Sequence, residues 1–68
     1  MPYVNIKVTD DGVTREQKAR LIKGVTDLLE EVLGKAPAST YVVIDEVPVS
    51  NWGVGGVDVE QWRERQRS

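Results

Sequence analysis

The sequence predicts an α+β protein: a βαβ unit with parallel strands, then a short C-terminal hairpin, assembled as an oligomer. Three stretches carry that reading. Residues 3–8 alternate Tyr3, Asn5 and Lys7 against Val4, Ile6 and Val8, the period-2 pattern of a half-buried strand. Residues 15–33 repeat apolar side chains at helical spacing. Residues 41–47, Tyr-Val-Val-Ile-Asp-Glu-Val, are nearly continuously apolar, as in a strand covered on both faces. Two strands joined through a long helix lie parallel, with a right-handed crossover.

Each element has its own boundary chemistry. Thr9-Asp10-Asp11-Gly12 ends the first strand with turn residues. Thr14 is a helix N-cap, and Gln17 three residues on completes a capping box. Ala19, Leu21, Ile22, Val25, Leu28, Leu29, Val32 and Leu33 make one apolar face, with Glu16, Lys18, Lys23, Asp27, Glu30 and Glu31 mostly off it. Gly34 stops the helix and Pro37 prevents its resumption. After the second strand, Pro48-Val49-Ser50-Asn51 breaks the pattern, and residues 52–57 read as a glycine-rich hairpin. Asp58 caps a last helical stretch, Val59 to Arg67, with Trp62 as its one large apolar anchor. There is no internal repeat or linker, so residues 1–68 read as one domain.

Composition narrows both assembly and function. A chain of 68 residues without cysteine is below the size at which one core is comfortably self-sufficient, and no disulfide compensates. Two strands and one helix leave the far face of the sheet open, and Val43 and Val47 point to the face opposite Val42 and Ile44. Both facts predict association. A net charge of −2 has the wrong sign for a general nucleic-acid or anionic-membrane binder. No apolar run reaches the ~20 residues of a membrane span. The N-terminus lacks the regions of a signal peptide. The cytoplasm is therefore the expected compartment.

With no histidine and no cysteine, Ser-His-Asp and Cys-His catalysis are excluded, and a zinc site would have to be all-carboxylate. Gly53-Val54-Gly55-Gly56 lacks the Lys-Ser/Thr of a phosphate loop and reads as turn glycines. The adjacent acids Asp10/Asp11, Glu30/Glu31 and Asp45/Glu46 diverge on a strand or helix and read as solvated surface. Arg63, Arg65 and Arg67, interleaved with Glu64, read as a solvated helix end. Their other reading is closure of a neighbour's pocket over an acidic substrate.

Met1-Pro2 offers more specific chemistry. With Met1 removed, Pro2 is a free secondary amine whose direction is fixed by the first strand. An α-amino group titrates at about 7.7–8.0, and a shift of one unit needs only ~1.4 kcal/mol. Desolvation or a nearby cation disfavours the ammonium and moves the value toward neutrality, where a general base works best. From these two residues alone a second reading stands beside this one: Pro2 merely permits Met1 removal and starts a strand.

The whole pattern resembles the tautomerase superfamily, specifically its small 4-oxalocrotonate tautomerase family. The likeness runs to about Gly56 and includes Met1-Pro2 before the first strand and Glu16-Gln17-Lys18 at the helix start. Leu21-Ile22, Val43-Ile44-Asp45-Glu46 and Trp52-Gly53-Val54-Gly55-Gly56 also match, in the same order and spacing. The resemblance implies that Met1 is removed and that Pro2 is the catalytic base of a cofactor-free keto–enol tautomerase. It implies a homohexamer with pockets at subunit boundaries and Trp52 as the aromatic pocket wall.

Two departures bear on the substrate. The family's arginine after the first loop glycine is here Val13, and the arginine opening the second strand is here Tyr41. The Asp10-Asp11-Gly12 loop is one residue longer than in the family, and Arg15, a turn further on, is the candidate replacement for the first arginine. Valine supplies no charge, whereas Tyr41 still donates one hydrogen bond. Such a pocket suits a small-molecule monoacid, a 2-hydroxy- or 2-oxo-alkenoate or an aryl enol, better than a muconate-like dicarboxylate. Two other readings remain: a proline-dependent hydratase or dehalogenase with Asp45 or Glu46 activating water, and a non-catalytic oligomeric module.

Overall fold

The expected boundaries are met closely in the computed structural model, which describes residues 1–67. Strand β1 spans Tyr3–Thr9, helix α1 Arg15–Leu33, strand β2 Tyr41–Val47, strands β3 and β4 Gly53–Val54 and Val57–Asp58, and helix α2 Val59–Arg67. Strands β1 and β2 pair in parallel, from Tyr3 opposite Tyr41 to Thr9 opposite Val47. Short 3-10 turns at Pro37–Ser39 and Val49–Asn51 flank β2.

Local chemistry fixes the helix ends. The Thr14 hydroxyl accepts from the Gln17 N–H at 3.1 Å, and the Gln17 carboxamide accepts from the Thr14 N–H at 2.9 Å. Gly34 closes α1 in the left-handed region (φ 67°), donating to the Glu30 carbonyl at 2.9 Å. The β3–β4 turn runs through Gly55 and Gly56 at φ 62° and 84°, the two positive values that a tight two-residue hairpin turn requires. Asp58 caps α2 by accepting from the Gln61 N–H at 3.0 Å.

Helix α1 lies against β2, and a Lys18–Glu46 ion pair joins its first turns to that strand's end. The face of the sheet beneath it carries Val4, Ile6 and Val8 of β1 and Val42 and Ile44 of β2. The opposite face carries Tyr3, Asn5, Lys7 and Thr9 beside Tyr41, Val43, Asp45 and Val47, with no helix over it. A covered strand was expected on both sides of β2; within one protomer only one side is covered.

No described side chain is fully buried. Leu28, Val32 and Leu33 of α1 remain more than half exposed, and the supposed anchor Trp62 is 39% exposed. The radius of gyration is 15.7 Å, against about 11 Å for a compact chain of this length. The accessible surface is 5265 Å², roughly 1,000 Å² above the ~4,300 Å² expected for a folded 7.6 kDa monomer. That excess is of the size one partner contributes to a stable protein–protein interface.

The uncovered face is not wholly apolar. Asp45 accepts from the Asn5 amide at 2.8 Å and from the Lys7 ammonium at 3.0 Å. The Asn5 hydrogen bond first, and Lys7 second, hold its carboxyl below the usual carboxylate range. Because the folded value is the lower one, this contribution is present above the unfolded pKa of about 3.9 and is lost as pH falls through the folded value. Asp45→Asn is therefore expected to flatten the acid limb of the unfolding curve below about pH 4, followed by circular dichroism. A variant whose acid limb parallels wild type would contradict the assignment.

Candidate functional site

The parallel register places all strand starts at one end of the sheet and all strand ends at the other. Pro2 stands at the first end, half-buried, and its carbonyl accepts from the Tyr41 N–H at 3.0 Å. That bond sets the proline beside the opening residue of β2, with Tyr3 and Tyr41 next in register and both largely exposed. Met1, 84% exposed, projects beyond it.

Trp52 belongs to the second end. Its indole N–H donates to the Val47 carbonyl at 3.2 Å, at the close of β2. Its own carbonyl accepts from Val59 N–H at 2.9 Å, tying the ring's backbone to the start of α2. Seven strand steps of about 3.3 Å separate Pro2 from the Thr9–Val47 level, so base and aromatic lie roughly 20 Å apart in one protomer. Arg15, the first residue of α1, is exposed and also belongs to this second end. Of the candidate residues, the structure brings together Pro2 and Tyr41; Trp52 and Arg15 stand at the opposite end.

The second end also holds an open groove of about 510 Å³, lined by Val8, Val13, Gln17, Arg20 and Leu21. It lies between the end of β1 and the first turns of α1, a helix that packs chiefly on β2. Val13 lines it; Arg15 does not. Arg20 was missed by sequence reasoning, although Gln17, Arg20 and Leu21 share one helix face at i, i+3 and i+4.

Several charged side chains at this end are engaged. Arg63 of α2 reaches Asp11 at 3.3 Å, fastening the C-terminal helix to the β1–α1 loop, and Arg65 is also engaged. The tail is thus partly clamped to the fold, while the side chain of Arg67 lies outside the described part. Glu46 pairs with Lys18, and Asp45 is held by Asn5 and Lys7. Among the described residues, no three of His, Cys, Asp or Glu converge as metal ligands, and no helix is long and apolar enough to cross a membrane.

Comparison with known proteins places this geometry. The family model for tautomerase enzymes matches residues 2–61. A probable tautomerase of Dickeya dadantii is 58% identical over 65 residues, covering 96% of this chain and 97% of that protein. The 2-hydroxymuconate tautomerase of Comamonas testosteroni is 38% identical over 61 residues, covering 90% and 95%. The solved structure of a heterohexameric 4-oxalocrotonate tautomerase from Chloroflexus aurantiacus superposes with a TM-score of 0.80 at 28% identity, covering 90% of this chain and 97% of that one. A family match over nearly the whole βαβ unit and hairpin, with a relative at 58% identity, settles the family: this chain is a member of the tautomerase enzymes.

Proposed function

We propose that Pro2, freed by removal of Met1, is the general base of a cofactor-independent keto–enol tautomerase. Its substrate is a 2-hydroxy- or 2-oxo-alkenoate or an aryl enol. The observation that carries this reading is the bond from Tyr41 N–H to the Pro2 carbonyl, which sets the terminal proline beside the opening residue of β2. The free amine takes the proton of the enol hydroxyl and returns it to a carbon of the conjugated chain, so no atom or electron is gained or lost. Tyr41 hydrogen-bonds the substrate's carbonyl or carboxylate.

The aromatic wall comes from another copy. Trp52 lies roughly 20 Å from Pro2 within a protomer, and the uncovered face and excess surface support association. A homohexamer is the assembly we propose, in keeping with the hexameric relative from Chloroflexus aurantiacus. Packing of Trp52 against the terminus supplies the desolvation that disfavours the ammonium form. Without it, only about a tenth of the amine is free base at pH 7. A hydratase or dehalogenase reading is less well supported, because both carboxylates it would use, Asp45 and Glu46, are already engaged.

Two tests follow from this site. Intact mass should show a chain lighter by one methionine residue, and Pro2→Ala should lower kcat/KM for phenylenolpyruvate by about a hundredfold or more. Retained Met1, or equal rates for wild type and Pro2→Ala, would remove Pro2 from the chemistry. Restoring charge with Val13→Arg and Tyr41→Arg together should raise 2-hydroxymuconate turnover in the same spectrophotometric assay. An unchanged rate would mean that these positions do not border the pocket.

A further inference from the structure

The groove between β1 and α1 has a one-sided chemistry. Val8, Val13 and Leu21 give it apolar walls, and Gln17 and Arg20 give it polar groups. The Gln17 carboxamide oxygen is committed to the Thr14 N–H at 2.9 Å, which leaves its NH2 as the group it offers. Arginine is a donor without an acceptor. The groove therefore presents donors and apolar surface, with no carboxylate among its lining residues.

The cations sort themselves by partner. Lys7, Lys18, Lys23 and Arg63 each reach a carboxylate, and Arg65 is engaged as well. The side chains of Arg15, Arg20 and Lys35 make no hydrogen bond or ion pair among the described residues, and of these three Arg20 borders the groove. The volume, about 510 Å³, lies within the range of small-molecule sites. An unengaged guanidinium beside an apolar wall complements a molecule with a carboxylate at one end and a hydrocarbon or aryl body at the other.

We propose that this groove is the acid-binding part of the active site, completed by Pro2 of a second copy, with Arg20 as the residue that binds the substrate's carboxylate and sets the preference for monoacids. The inference rests on the reading of Pro2 as base, and it assigns to Arg20 the charge that Val13 does not supply. The groove needs another copy because Pro2 and Tyr41 stand at the opposite end of the sheet. One cation facing apolar walls accommodates one carboxylate, so a second carboxylate on the substrate would be buried against Val8, Val13 or Leu21 unpaired.

The test compares phenylenolpyruvate with its uncharged methyl ester in wild type, Arg20→Gln and Arg20→Lys. Arg20→Gln should raise KM for the acid about tenfold to a hundredfold, leave kcat within about twofold, and leave kcat/KM for the ester within about twofold. Arg20→Lys should fall between, keeping the charge and losing the fork. Lys23→Gln, which removes a charge from the outer face of α1, should change neither substrate. Equal KM values for the acid in wild type and Arg20→Gln, or equal losses for acid and ester, would overturn the assignment.

A second measurement does not depend on turnover. Cinnamate, an unreactive acid, should shift the Val13, Gln17 and Leu21 amide resonances of wild type and not those of Arg20→Gln. Should phenylenolpyruvate turnover be insensitive to Pro2→Ala, the base assignment fails alone, and cinnamate still decides the groove. Cinnamate shifts that avoid these amides, or that persist in Arg20→Gln, would overturn it. An Arg20→Gln protein that fails to assemble, as seen by sedimentation, would be replaced by Arg20→Lys. A KM for the acid no higher than wild type in Arg20→Lys, with unchanged cinnamate shifts, would then overturn the proposal.

Discussion

The parallel pairing of β1 with β2 governs everything else in this molecule. It begins with the Tyr41 N–H on the Pro2 carbonyl and runs without a slip to Thr9 opposite Val47. Parallel strands require a long crossover, which α1 supplies, and they segregate beginnings from ends. Pro2 and Tyr41 are consequently fixed at one end, while the β1–α1 loop, the groove and Trp52 gather at the other. A one-residue slip would turn Val4, Ile6 and Val8 out from beneath α1 and put Lys7 in their place. The register thus decides both which face packs and which groups meet.

The same pairing leaves the protomer unfinished. A two-stranded sheet with one helix on one face buries no side chain fully, and its surface exceeds that of a compact monomer by roughly 1,000 Å². In the proposed assembly folding and association are one process, since the apolar area left open in the protomer is covered there. The uncovered face mixes Tyr3, Tyr41 and Val43 with the Asn5–Asp45–Lys7 cluster. A satisfied polar cluster within an apolar face favours one docking geometry over its sliding alternatives, because a displaced partner would leave the carboxylate desolvated. Assembly and catalysis are linked in the proposed function for the same reason: the surfaces that need covering border the groups that need company.

Much of the fold was legible because its signals are local. The Thr14–Gln17 box, the Gly34 stop, the alternation of Tyr3 to Val8 and the Gly55-Gly56 turn each act within a few residues, and each element formed where its chemistry placed it. What depends on packing direction was not legible. Periodicity grouped Leu21, Leu28 and Val32 with the core face, yet α1 leans onto β2 and leaves that stripe open. Trp62 looked like an anchor by size alone, and within the protomer it has too little to bury against. The candidate site divides in the same way. Pro2 and Tyr41 were singled out by the family resemblance, and the parallel register sets their backbones side by side. Arg20 was passed over because its spacing from Gln17 means nothing until α1 is known to pack chiefly on β2.

The central claim is that a functional site is assembled from opposite ends of different copies. Mixing tests it directly. Pro2→Ala and Trp52→Ala proteins, each of low activity, would be unfolded together in equal amounts and refolded, and phenylenolpyruvate turnover measured against each variant refolded alone. If Pro2 and Trp52 of different protomers share a site, random assembly restores about a quarter of the sites, and activity rises well above either parent. Turnover no higher than the mean of the two parents would show that both residues serve the same protomer's site, and would contradict the account.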